Sequence, residues 1–254
     1  MCTVRSMNTV KFLIIGDVHA EFAPFQKAVQ FAVDNDLHLV SVGDLIDNGP
    51  DGFKVLTLFK QLADQDKATL IIGNHEWKIH RWLLGRDVKI TAPNQITVDQ
   101  MNSNHFFEDV FKDLMSKAVH FTQLNDNMFV THAAMSKDFW ETKELTAHNR
   151  DRMMYSFADN SQIAHYRGET YPIRLYHWVD DVPAGVKLFV GHDPRPMIGV
   201  PDFDNFQVAP SVVKNDNGGI TVFLDTGSGK GGTLWGTVVN SVTSEIEQFR
   251  NFSI

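Results

Sequence analysis

Short, nearly unbroken apolar runs recur along the chain, and each stops at a ligand-type residue beside glycine or another small residue. The clearest are FLIIGDVHA (12–20), LVSVGDLID (39–47), TLIIGNHE (69–76), MFVTHAAM (128–135), LFVGHDPRP (188–196) and TVFLDTGSG (221–229). Runs of four or five residues rich in Val, Ile, Leu and Phe, bounded by Gly and Asp, predict buried strands with the polar residue at the carboxyl end. Between the first three, FAPFQKAVQFAVDN (22–35) and GFKVLTLFKQLADQ (52–65) place apolar residues at helical spacing. This alternation predicts an α/β fold with parallel strands, in which ligands bind beyond the carboxyl ends of the strands. The polar residues should therefore meet at one edge. The C-terminal half, richer in strand signals, predicts a second sheet that ends in a final strand, LWGTVV. Trp77, Trp82 and Leu83 lie at helical spacing just after GNHE (73–76) and read as core. Residues 136–181 read as irregular or helical and carry Trp140, Tyr155, Tyr166, Arg167, Arg174 and Trp178. Aromatics mixed with arginines suit either a cover for the sheet or stacking on a nucleotide base.

With 254 residues and 43% hydrophobic content, the chain can bury one large core. The expectation is a single domain over 1–254, its core at about 10–240 and residues 136–181 on the substrate side. A net charge of −8 is the wrong field for tracking a long nucleic acid backbone. Small phosphorylated substrates stay compatible with it, because bound divalent ions reverse the sign locally. One cysteine, Cys2, excludes an internal disulfide and fits a reducing compartment. The FLII run is too short for a signal-peptide core, and no segment approaches the roughly 20 apolar residues of a membrane span. A soluble, cytoplasmic protein without a membrane partner is expected.

Taken singly, a Gly-Asp after a strand is an ordinary turn whose Asp caps the next helix, and a lone histidine is an ordinary structural residue. The set is harder to dismiss: Asp17, His19, Asp44, Asn74, His75, His132 and His192 all occupy equivalent points. Carboxylate, imidazole and amide oxygen without cysteine suit manganese, iron or magnesium better than a structural zinc. They are too many for one ion. Two metals sharing a carboxylate, about 3.5–4 Å apart, would use them and would clamp the oxygens of a phosphoryl displacement. Two other readings of the motifs fail. His75, Glu76 and His80 do not make an H-E-x-x-H zinc helix, because the extra residue swings His80 about 140° around a helix from His75. DTGSGKGGT is not a phosphate-binding P-loop, since Gly231 rather than Ser or Thr follows Lys230.

GDVHA, GDLIDNG, GNHE, THA and GHD, in this order, resemble the signature of the calcineurin-like metallophosphoesterases, G-D-x-H-G, G-D-x-x-D-R-G, G-N-H-D/E, a lone His and G-H. The resemblance spans residues 12 to about 240. It is nearest to the phosphoprotein-phosphatase branch. GNHEWKIHRWLLGRDVKIT is similar to the phosphatase module of bacterial polynucleotide kinase-phosphatases, and NRDRMM (149–154) to lambda-type phage protein phosphatases. DTGSGKGGTLWG (225–236) is similar to the closing segment of both.

The resemblance implies two stacked mixed β-sheets flanked by helices. It also implies two divalent ions, manganese first, with iron, zinc or magnesium as alternatives. Asp17, His19 and Asp44 would hold one; Asp44 would bridge to the other, completed by Asn74, His132 and His192. His75 would not be a ligand but would protonate the leaving oxygen, steadied by Asp47. The implied reaction is hydrolysis of a phosphomonoester or phosphodiester by a hydroxide between the metals. A phosphoserine or phosphothreonine protein, a nucleotide or an RNA-end phosphate is the implied substrate, and a dinucleoside polyphosphate stays open.

Two positions depart from the pattern. Asn48 stands where the family has a phosphate-gripping arginine; it can donate hydrogen bonds but brings no charge. A diester or a larger leaving group then suits the site better than a dianionic monoester, and a module that binds phosphorylated ligands without turnover is the contrasting reading. Arg152, or else Arg150, would be either a remaining cationic clamp or a solvated surface arginine. Ala20 replaces a glycine in a turn. Asp225 reads either as a support for the metals or as a turn residue.

Overall fold

A computed structural model describes residues 11–166, 169–194 and 207–254. The first apolar run becomes β1 (Lys11–Ile15), followed by α1 (Phe22–Asp34), β2 (His38–Ser41), α2 (Gly52–Ala63) and β3 (Ala68–Leu70). β1, β2 and β3 pair in parallel. Because such strands are covered on both faces, their side chains stay apolar through both phases of the alternation. Phe12 and Ile14 face one apolar cluster, Leu13 and Ile15 another with Phe25 of α1 and Phe59 of α2. Each of these side chains is almost completely buried, a state that stabilises by about 1.5–3 kcal/mol for a residue of this size.

The chain continues through α3 (Asn74–Leu83), α4 (Ala92–Ser103) and α5 (His105–Lys117) into β4 (Phe121–Asn125) and β5 (Met128–Thr131). Neither α4 nor α5 was expected from the pattern. α5 is amphipathic, burying Phe107, Phe111, Leu114 and Met115, and Asn104 caps it by accepting the Phe106 N–H at 3.1 Å. α6 (Lys137–Thr142), α7 (Ala147–Tyr155), β6 (Phe157–Tyr166), β7 (Glu169–Leu175), β8 (Lys187–Val190), β9 (Ser211–Lys214), β10 (Ile220–Phe223), β11 (Trp235–Asn240) and β12 (Glu245–Asn251) complete the elements.

Two five-stranded mixed sheets result, in the orders β12-β11-β1-β2-β3 and β4-β5-β8-β10-β9. Between them lies a layer that includes Phe12, Ile14, Val40, Val130, Phe189 and Val222. The far face of the second sheet is covered by Phe139 and Trp140 of α6, Met153 of α7 and Trp178. Among the described residues no helix is long and apolar enough to cross a membrane.

Three expectations are corrected. β11 is not the last strand: β12 follows it, so ordered structure runs past 240. Both strands join the first sheet, β11 antiparallel to β1. Within 136–181, β6 and β7 form a separate two-stranded antiparallel ribbon. Its sequence lacks a clean apolar alternation, and its register shifts between Asp159 and Ile163, which erases the period-two signal that marks a half-buried strand. Arg167 lies outside the described residues. Trp77, Trp82 and Leu83 are only partly buried, packed against the core that Phe25 and Phe59 share.

Candidate metal centre

The loops that leave β1, β2, β5 and β8, together with the start of α3, bring the predicted ligands into one cup. Asp17, His19, Asp44, Asp47 and His132 are essentially inaccessible to solvent, and His192 is 8% exposed. Several occupy the left-handed backbone region, with φ of 49° at His19, 53° at Asp44, 68° at Asp47, 64° at Asn48 and 71° at His192. That conformation costs a non-glycine residue roughly 1–2 kcal/mol, and such strain clusters at functional sites. Ala20, also at a positive φ of 59°, sits in the turn where a glycine was expected.

Among the described residues, two sets of donors lie close enough to hold a cation: His19, Asp44 and His75, and Asp44, His132 and His192. Asp44 belongs to both. Its Oδ2 is 3.8 Å from His19 Nε2, 3.8 Å from His75 Nε2 and 3.5 Å from His132 Nε2. Asp17 Oδ2 is 3.8 Å from His19 Nε2, while the His192 N–H donates to Asp17. Asn74 Oδ1 lies 2.9 Å from His132 Nε2 and 2.8 Å from His192 Nδ1, and the two ring nitrogens are 3.1 Å apart.

The donor chemistry fits a bound cation. His19 Nδ1 and His132 Nδ1 each face a backbone carbonyl, Ile46 O at 3.1 Å and Val42 O at 2.9 Å. Donating there leaves each Nε2 with its lone pair turned into the cup. His19 Nε2 is buried with no hydrogen-bond partner among the described residues, and so is Asp225 Oδ2. Buried acceptors left unpaired in this way are costly unless a cation takes the place of the missing donor.

The electrostatics agree. Burial raises the Asp17 carboxyl well above its ordinary value, reinforced by Asp225 and Asp44. Burial likewise raises Asp225. For Asp44 burial acts in the same direction, but the neighbouring His132, His75 and His19 oppose it and bring the group below its ordinary value. Burial lowers His19, His132 and His192, favouring the neutral imidazole that ligates metals.

His75 behaves differently. Its Nδ1 meets Asp47 Oδ2 at 2.6 Å, and Asp47 is gripped in turn by Asn94 and Thr97 of α4. Burial opposes the imidazolium, yet Asp44 and the Asp47 hydrogen bond raise the His75 pKa above that of a free histidine. A ring whose protonated form is favoured in this way suits proton donation better than metal ligation.

Glu76 is a structural group that motif reading missed. Fully buried at the third position of α3, it accepts the N–H groups of Asp44 at 2.8 Å, Leu45 at 2.7 Å and Gly73 at 3.1 Å. It thereby ties the loop after β2 to the start of α3. A glutamate three residues into a helix is the recognisable half of a capping box, so the signal was present. The Asn94 and Thr97 contacts had none, being 47 and 50 residues from Asp47.

Arg152 stacks on Phe157, 4.7 Å from the ring centroid, and donates to Ser156 O at 3.1 Å. Arg150 is exposed and lies near His120, whose burial lowers its pKa to about 4 with help from that guanidinium. Among the described residues neither arginine hydrogen-bonds to the cup. Asn48 Nδ2 lies 3.0 Å from His19 Nδ1.

Two glycines let the carboxylates in. A Cβ at Gly191 would stand 2.0 Å from Asp17 Oδ1, and one at Gly73 2.1 Å from Asp44 Oδ1. Gly191→Ala should displace Asp17 and weaken metal binding by roughly 10–100-fold, the scale seen when the support of a ligand is lost. Calorimetric titration with manganese checks this, and unchanged affinity would remove Asp17 from the ligand set.

The family model described as calcineurin-like phosphoesterase matches residues 10–223. The chain is 25% identical over 272 residues to a Geobacillus sp. (strain WCH70) protein named bis(5'-nucleosyl)-tetraphosphatase PrpE (asymmetrical), covering 96% of this chain and 100% of the relative. A protein of the same name from Anoxybacillus flavithermus is 30% identical over 142 residues, 50% of this chain and 58% of the relative. Among solved structures, one described as a putative diadenosine tetraphosphatase superposes with a TM-score of 0.58 at 19% identity, covering 99% of this chain and 96% of the other. A protein serine/threonine phosphatase from Saccharomyces cerevisiae gives 0.58 at 14% identity, covering 98% and 82%. These two likenesses concern the fold.

Proposed function

Since the chain belongs to the calcineurin-like phosphoesterase family and is a metal-dependent phosphoesterase, we propose that its substrate is a dinucleoside polyphosphate, cleaved within the phosphate bridge. The observation that carries the reading is the cup itself, metal-type donors from five separate segments converging with His19 Nε2 and Asp225 Oδ2 buried and unpartnered among the described residues. Asp17, His19 and Asp44 would hold one divalent cation, manganese by preference, and Asp44, Asn74, His132 and His192 would hold the other. When bound, the pair supplies Lewis acidity and an activated water.

The chain's own residues do the rest. The backbone N–H of His75 donates to Asp44 Oδ1 at 3.1 Å, fixing that carboxylate between the two sets. Asp47 orients the His75 ring so that Nε2 carries the proton for the leaving phosphate oxygen. General-acid help of this kind is worth roughly 10²–10⁴-fold. Asn48 offers a neutral donor near His19, suited to a substrate whose charge is spread over several phosphates. The full-length similarity to proteins named tetraphosphatases supports this class over a phosphoprotein.

The test is a substrate panel with manganese added: a dinucleoside tetraphosphate, a phosphoserine peptide, a 2′,3′-cyclic phosphate and an aryl phosphate. The dinucleoside tetraphosphate should give the highest kcat/KM by at least about 1.4 kcal/mol, one factor of ten. A higher value for the peptide or the cyclic phosphate would overturn the assignment, and chelation with EDTA should abolish all turnover.

A further inference from the structure

We infer that Asn94 and Thr97, on the inward face of α4, are positioning residues for the reaction: they fix the Asp47 carboxylate so that His75 meets the leaving oxygen in one orientation. The inference rests on the proton-donor role of His75 proposed above and extends it to a helix that supplies no donor to the cup.

α4 turns Asn94, Thr97, Val98 and Met101 inward, and Asn94 and Thr97 are only 1% and 2% exposed. Polar side chains buried on a helix face are costly unless they are partnered. Positions 93, 97 and 100 lie on one side of an α-helix, and each meets the segment 47–50. Pro93 O accepts the Asn48 N–H at 3.4 Å, Thr97 Oγ1 accepts the Asp47 N–H at 3.2 Å, and Gln100 Nε2 donates to Pro50 O at 2.6 Å. The helix thus lies along a segment in which two consecutive non-glycine residues, Asp47 and Asn48, have left-handed backbones. Such a conformation persists where its surroundings over-determine it. Glu76 holds the N–H groups of Asp44 and Leu45, and α4 takes over from Asp47 onward.

The Asp47 carboxylate has little freedom to turn. Its Oδ1 accepts the Thr97 hydroxyl, whose oxygen accepts the N–H of Asp47 itself, so the two residues are bonded reciprocally. Its Oδ2 accepts both Asn94 Nδ2 at 2.5 Å and His75 Nδ1 at 2.6 Å. The Asn94 amide cannot flip without loss, because its Oδ1 accepts the Thr91 N–H at 3.2 Å and the Thr91 hydroxyl at 2.7 Å. A line of fixed hydrogen bonds therefore runs from Thr91 through Asn94 and Asp47 to His75. With Nδ1 committed to Asp47, the ring presents Nε2 to the cup, 3.8 Å from Asp44 Oδ2, and stands edge-on to His19 at 4.8 Å between ring centroids. An apolar residue at 94 or 97 would fill the same space but leave the carboxylate free to rotate, and the imidazole with it. This is a physical reason for a polar inward face on α4.

The test compares leaving groups on manganese-loaded protein. Phenyl phosphate releases a basic phenoxide that needs a proton; 2,4-dinitrophenyl phosphate releases a weakly basic one that does not. Asn94→Ala and the isosteric Thr97→Val should each lower kcat for phenyl phosphate by roughly 10–100-fold, the scale of a catalytic group misplaced by about 1 Å, and for the dinitrophenyl ester by less than about threefold. Thr97→Ser keeps the hydroxyl and should restore most of the phenyl phosphate rate. In a His75→Asn background, Asn94→Ala should cost less than about a further twofold, because nothing is left to position. Manganese content, measured by mass spectrometry, should match the parent in every variant with His75 intact. Equal losses on the two esters, a second full loss on top of His75→Asn, or variants that keep the parent's phenyl phosphate rate would each overturn the inference. The comparison is made between parent and variants on the same two esters, so it is separate from the substrate panel. A phosphopeptide preference there would overturn the substrate class and leave this result standing, and equal losses here would do the reverse.

Discussion

Replacing Asp44 by asparagine is expected to lower kcat/KM by about 10³-fold or more, several kcal/mol of transition-state stabilisation, for every substrate the protein accepts. Asparagine matches the shape of the side chain but cannot serve as an anionic bridge. In the native cup Asp44 is the one group common to both donor sets. The substitution should also halve the manganese retained after gel filtration, or remove it altogether. Mass-spectrometric metal analysis beside steady-state kinetics checks both effects. Turnover within tenfold of the parent, with full metal content, would place the reactive centre elsewhere.

The second large effect is on stability. Glu76→Ala leaves the N–H groups of Asp44, Leu45 and Gly73 without their acceptor in a site from which water is excluded. Each buried donor left unsatisfied costs about 1–3 kcal/mol, so a loss of about 3 kcal/mol or more is expected in urea denaturation. Glu76→Gln keeps one acceptor oxygen and should lose less. The pH dependence separates the two roles of the carboxylate. Burial, then Asp44, push the Glu76 carboxyl up to about 8 from 4.5, against the N–H donors of Asp44 and Leu45. A folded-state pKa above the unfolded value means that the native protein binds the proton more tightly. Its contribution is then complete below about pH 4.5 and lost as pH rises through about 8. Metal-free parent should therefore lose stability relative to Glu76→Gln between pH 5 and pH 8.5. Parallel curves for the two proteins would show that this carboxyl does not titrate in that window.

How far these features could be read in advance depends on the distance over which each is determined. The strand ends were legible because parallel strands covered on both faces need unbroken apolar runs, and a run must stop where the chain turns toward the ligand edge. Asp17, Asp44 and His192 stood at such stops, and in the fold they share a cup. The helices α1 and α2 followed from local spacing. α4 was not legible: it is only weakly amphipathic, and its purpose is to present Asn94 and Thr97 to Asp47. The β6–β7 ribbon escaped because it buries little of its own, so burial left no alternating pattern in it.

The sequence alone determined the class of donors, their order at the ends of apolar runs and the stacked-sheet family to which they belong. Only the tertiary structure decided that Asp44 is shared by two donor sets, that Glu76 ties its backbone down, that Asp47 has its own supports, and that Arg174 packs against His192. The physical reason is the range of the interactions. Burial periodicity is written within a few neighbouring residues, whereas lone pairs, buried charges and their partners are matched between segments that only folding brings within a few ångströms.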